Sequence, residues 1–90
     1  MNADLSLKVD RELNVEEQNE LAQAIRSKFK NVDEIKITPV NSMALTGVEL
    51  FISIAISFAT SIAANATYDI TKFAISHLSK RNIKASEEEE

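Results

Sequence analysis

The sequence predicts an α+β domain: a β-α-β unit followed by a long C-terminal helix, continuous or broken near Asn65. Its sheet is expected to be completed by oligomerisation or by a partner. Three observations predict this. Two stretches alternate apolar and polar residues, an amphipathic stretch lies between them, and an uncharged run then passes into helical spacing as far as Leu78. At 90 residues the chain is near the size where one core is only marginally self-sufficient, so help from a second subunit is expected. One glycine and one proline leave little room for long loops. Residues 1–83 read as a single domain, and residues 84–90, with their terminal glutamates, read as a disordered acidic tail.

The first strand is "DLSLKVD". Leu5, Leu7 and Val9 fall on one side and Ser6 and Lys8 on the other, the period of a half-buried strand. After the polar break "RELN", Asn14 stands three residues before Glu17, the spacing of a capping box. Leu21, Ile25 and Phe29 then step by four along one face of a helix. Lys28 and Lys30 suit the C-terminal end of its dipole, and Asn31 is the expected left-handed stop. In "EIKITPV" Ile35 and Ile37 point inward, and Pro39 either ends the strand or leaves it at an edge. Strand, helix, strand at this spacing suits a right-handed crossover that would make the two strands parallel neighbours. Two strands do not make a stable sheet, hence the expected outside help.

Between Glu49 and Asp69 lie 19 uncharged residues, four of them isoleucine. Val48, Leu50, Ile52, Ile54, Ile56, Phe58 and Ile62 all occupy even positions, so a strand over 48–62 stays open as an alternative. It would be far longer than an ordinary strand. The start signal favours a helix: Thr46 and Glu49 have capping-box spacing, and Leu45 and Leu50 have that of a hydrophobic staple. A ridge of every fourth residue runs from Leu50 through Ile54, Phe58, Ile62, Ala66, Ile70 and Ala74 to Leu78. A helix from Gly47 to about Arg81 would span on the order of 50 Å, and Thr67 and Asp69 would open its second piece if it breaks.

The same run has nearly the length of a membrane span. Six of its residues are Ser, Thr or Asn and five are Ala, and the mean hydropathy of the chain is slightly negative. A helix buried against protein is the preferred reading. Ala55, Ala59 and Ala63, beside Ser53, Ser57 and Ser61, allow two backbones to approach closely, and ridges spaced by four interdigitate in the commonest class of helix packing. The expected interaction surface lies within 48–78 and is carried by Ser53, Ile54, Ser57, Phe58, Ser61, Ile62, Ile70 and Phe73. The plainer alternative, that the alanines pack on the chain's own first helix, weighs about the same.

Little chemistry is in view. His77 is the single histidine and has no carboxylate at helical spacing, which suits a solvated position or one at a helix C-terminus. Glu49 is explained by its capping geometry, and Asp69 and Lys72 by a weak pairing on one turn. The lone Gly47 cannot form a phosphate-binding loop, and the absence of cysteine excludes disulfides and thiolate metal sites. No enzyme activity, metal or cofactor is expected. The net charge of −4 equals the charge of the four final glutamates. The remainder is near neutral, which argues against nucleic acid and for a protein partner or a second copy. "MNADLSLKVD" has neither a basic nor an apolar signal region, so a cytoplasmic protein is expected.

The order of these elements is similar to a known family. Strand "LSLKVD", helix "EEQNELAQAIRSKF", strand "IKITPV" and an Ala/Ser-rich helix ending "FAISHL" resemble the effector-associated constant component domains of bacterial conflict systems over most of residues 4 to 81. The resemblance implies a small adaptor that accompanies effector modules, and it assigns no functional residue. The expected function is that of a small non-catalytic interaction module: an adaptor, regulator or inhibitor. The alternative is a small membrane-active protein, pore-forming or holin-like, whose helix 47–68 inserts in a bilayer.

Overall fold

The computed structural model describes residues 2–44, 47–59 and 65–87. Its elements are β1 (Asn2–Val9), α1 (Val15–Lys28), β2 (Val32–Ala44), β3 (Gly47–Phe58), α2 (Ala66–Lys80) and β4 (Ala85–Glu87). The four strands form one sheet in the order β2-β3-β1-β4, every neighbouring pair antiparallel. A β-α-β-β-α-β chain with this strand order has the ferredoxin-like arrangement.

The expected architecture is corrected in three respects. Among the described residues there is no long C-terminal helix: Gly47–Phe58 is a strand, and of the expected stretch Ala66–Lys80 is helical. β1 and β2 are not parallel neighbours, because β3 lies between them and runs antiparallel to both. Finally, β3 and β4 enlarge the sheet from within the chain, so no second molecule is needed for that purpose. The physical reason is the residue pattern of β3. Ile52, Ile54, Ile56 and Phe58 are all buried, while the residues between them are only half-buried, and β-branched side chains on alternate positions pack well on a pleated surface. Full burial of each such side chain contributes roughly 1.5–3 kcal/mol. The expected capping residues Leu45 and Thr46 lie outside the described residues, and Glu49 sits in the strand.

The opening elements form as their residues dictate. In β1, Leu7 and Val9 are buried while Asn2, Asp4, Ser6 and Lys8 are exposed. At α1 the Asn14 side chain accepts from the Glu17 amide at 2.8 Å, and Glu17 accepts from the Asn14 amide at 3.1 Å. Arg11 clamps the same carboxylate with bonds of 3.0 and 2.6 Å. Together, Arg11 and then the Asn14 amide hold the Glu17 carboxyl down to about 2. The helix does not need Asn31 as a left-handed stop: it ends at Lys28, and Phe29 is already extended (φ −113°). Among the described residues that conformation falls instead to Asn82 (φ 61°), after α2. There the Ile83 amide donates to the Leu78 carbonyl and the Asn82 amide to that of Ser79, a Schellman ending with Leu78 and Ile83 both buried.

β2 runs through Pro39 as the outermost strand, where a residue without an N–H is tolerated. A register shift between Val32 and Glu34 leaves Asp33 unpaired, a bulge that puts Val32 and Ile35 on the same side of the sheet. That side carries the core: Leu7, Ile54 and Ile56 from the sheet meet Leu21 and Ile25 of α1 and Ile70, Ala74 and Leu78 of α2. Ala85–Glu87, read from sequence as part of the tail, pairs with Leu7–Val9 as a short edge strand. Both helices lie on one side. Among the described residues nothing packs over the other side of the sheet.

Candidate interaction surface

The uncovered side follows from strand alternation, since core-facing residues force their neighbours outward. The register sets these neighbours in rows. Lys36, Ala55 and Asp4 stand side by side across β2, β3 and β1; next come Thr38, Ser53 and Ser6, and then Val40, Phe51, Lys8 and Ser86. The middle row carries only hydroxyls. Phe51 and its cross-strand neighbour Val40 form the apolar end, with Val40 43% exposed. Towards the opposite end the small side chains Ala55 and Ser57 line a shallow hollow of about 770 Å³ with Asn2, Asp4, Glu34 and Lys36; Arg26 of α1 and Asp33 at the bulge line it too, so it extends past the edge of this face.

The charges of this face are unevenly used. Lys8 and Glu49 form an ion pair at 3.6 Å with both side chains well exposed, worth a few tenths of a kcal/mol. The other ion pairs lie elsewhere, Arg11 with Glu17 and Arg81 with Glu20. Among the described residues Asp4 and Lys36 have no ion-pair partner, although both flank Ala55.

The expected site residues separate. Ser53 and Ser57 lie on the uncovered face. Ile54, Phe58 and Ile70 are core residues. Phe73 is half-buried on α2, edge-to-face with Phe29 at 5.8 Å, and so ties α2 to the end of α1. Ser61 and Ile62 lie outside the described residues. The eight residues therefore do not share one surface, because the helical ridge that grouped them is a strand in its first part. Asp4, Lys8, Lys36 and Phe51 were missed. Their signal was present in the alternation of the strands, which places them opposite the core.

His77 half-buries its ring at 6.3 Å from that of Phe73. Desolvation first, and the nearby Arg81 second, push its pKa below the ordinary value, with Glu20 opposing. The ring is thus held towards its neutral form by packing. Thr71, a buried polar side chain, is satisfied by its bond to the Thr67 carbonyl at 2.8 Å. Among the described residues no three His, Cys, Asp or Glu side chains group as metal ligands. No helix among them is long and apolar enough to cross a membrane, and of the stretch 47–68 from which an inserting helix was expected, Gly47–Phe58 is β3. No protein-family model matches the chain, and no curated protein matches it in sequence.

Proposed function

We propose that this chain is a small non-catalytic protein-interaction module, an adaptor, regulator or inhibitor, that binds through the uncovered face of its sheet. The observation that carries the proposal is the outward row of β3. Ser53, Ala55 and Ser57 form a low, uncharged centre next to Phe51, with Asp4 and Lys36, which have no ion-pair partner among the described residues, on either side of Ala55. Small central side chains let another surface come close, and flanking charges of opposite sign fix its orientation. A small adaptor accompanying an effector module, as the resemblance to conflict-system domains implies, would use such a face. The eight-residue surface expected from a helix contributes Ser53 and Ser57 to this reading.

Site-specific photocrosslinking tests it. A benzophenone side chain is placed at Ser53, or at Ser76 on the exposed side of α2, in cells that naturally make the protein. A discrete protein adduct from position 53 and none from position 76 supports the proposal. Adducts only from position 76, or from neither, overturn it.

A further inference from the structure

We infer that the uncovered face receives a second copy of this chain, sheet against sheet, with the two β3 strands crossing antiparallel about a two-fold axis at Ser53. This rests on the interaction role proposed above and names its partner. Such an axis, lying between the sheets and perpendicular to the strands, exchanges positions 51 and 55 along β3 and positions 4 and 8 along β1. Shape and charge then match together. Phe51 stands over Ala55 of the second copy, where the hollow of about 770 Å³ opens. Asp4, without an ion-pair partner among the described residues, meets Lys8 of the second copy. Lys36 lays its stem along Val40, and Thr38, Ser53 and Ser6 each meet their own equivalents as hydroxyl pairs. Each contact occurs twice, as a self-complementary interface requires.

The other two-fold arrangement, with its axis along the strands, is poorer. It pairs Lys36 with Asp4, but it sets Glu49 on Glu49 and Phe51 on Phe51, and leaves both hollows empty. The available area is adequate. Strands about 4.8 Å apart and eight residues at about 3.3 Å each give a face of roughly 400 Å². Two such faces with their side-chain relief bury on the order of 1,000 Å², the low end for a specific interface. The sheet edges are less suited to joining copies, since the outer edge of β2 carries Pro39 and β4 is three residues long.

The test exchanges projection and hollow. Sedimentation velocity on the full chain, from about 1 µM to about 1 mM, gives the dimer dissociation constant; circular dichroism confirms that each variant is folded. Phe51→Ala is expected to weaken the dimer about tenfold or more, and Ala55→Phe to weaken it further by collision with Phe51. The double variant F51A/A55F restores it, because the projection and its seat have traded places. Asp4→Lys weakens the dimer and Asp4→Lys with Lys8→Asp recovers it, a second pair that substitutes no residue of β3 and removes only the exposed Lys8–Glu49 ion pair within each copy. A wild-type chain that stays monomeric at the top concentration overturns the inference. So does a dimer indifferent to both exchanges. A monomer that still crosslinks to a different protein from position 53 removes the second copy alone; a monomer with no adduct removes the interaction role as well.

Discussion

β3 and α2 carry one apolar ridge, yet one is a strand and the other a helix. Leu50, Ile54 and Phe58 continue in steps of four to Ile70, Ala74 and Leu78, and most of these residues are buried. What differs is the residue halfway along each step. In β3 it is Ile52 or Ile56, buried like the ridge itself; in α2 it is Lys72 or Ser76, exposed. A spacing of four satisfies a strand and a helix alike, so the ridge carries no information about which forms. The intermediate positions carry it. Where they are β-branched and apolar, both sets of even residues must face one core, and only a period of two allows that.

The largest test of this comparison gives β3 the intermediate residue of α2. Ile56→Ser is expected to cost about 3–5 kcal/mol, by leaving a cavity and burying a hydroxyl, and denaturant unfolding measures it. The next compares the starts of the two helices. Asn14→Ala, which removes a capping box, is expected to cost about 1 kcal/mol, whereas Asn65→Ala is near neutral because that side chain makes no capping bond. The same cap has a pH signature. The Glu17 carboxyl is lowered to about 2 in the fold, so its contribution is complete above the ordinary value of about 4.3. As pH falls from there towards 2 that contribution is lost, and Arg11→Ala flattens the acid limb of the stability profile. Smallest is the converse of the first change. Ser76→Ile in α2 is expected to alter stability by no more than about 0.5 kcal/mol, since the position is exposed and a helix gains nothing from an apolar residue there.

Much of the first half was legible because local and global signals agree there. β1 alternates cleanly, and the Asn14–Glu17 box forms as its spacing implies. Further on, the signals conflict. Thr46 and Glu49 have the spacing of a helix start, but Glu49 lies in a strand and pairs with Lys8, which is distant in sequence and therefore invisible to local reasoning. Treating β3 as helix left the sheet one strand short, and the unseen β4 a second, and from that came the expectation that a second molecule must complete it. β4 was hidden in another way: three residues leading into the final run of glutamates carry no periodicity, and only Leu7–Val9 gives them a place. On the candidate surface, the sequence reached Ser53 and Ser57 for a helical reason. Asp4, Lys8 and Lys36 become neighbours of β3 only through strand pairing.

The central place of β1 has a kinetic consequence. β2 and β3 form a hairpin of nearest neighbours, whose pairing starts with Ala44 opposite Gly47. β1 has no such local partner. It lies between β3 and β4, and the pairings Leu7–Ile52 and Leu7–Glu87 join residues far apart along the chain. Closing those long loops sacrifices chain entropy before any contact repays it. Folding is therefore expected to begin with the β2–β3 hairpin and to wait on the capture of β1, a search that the last short strand concludes.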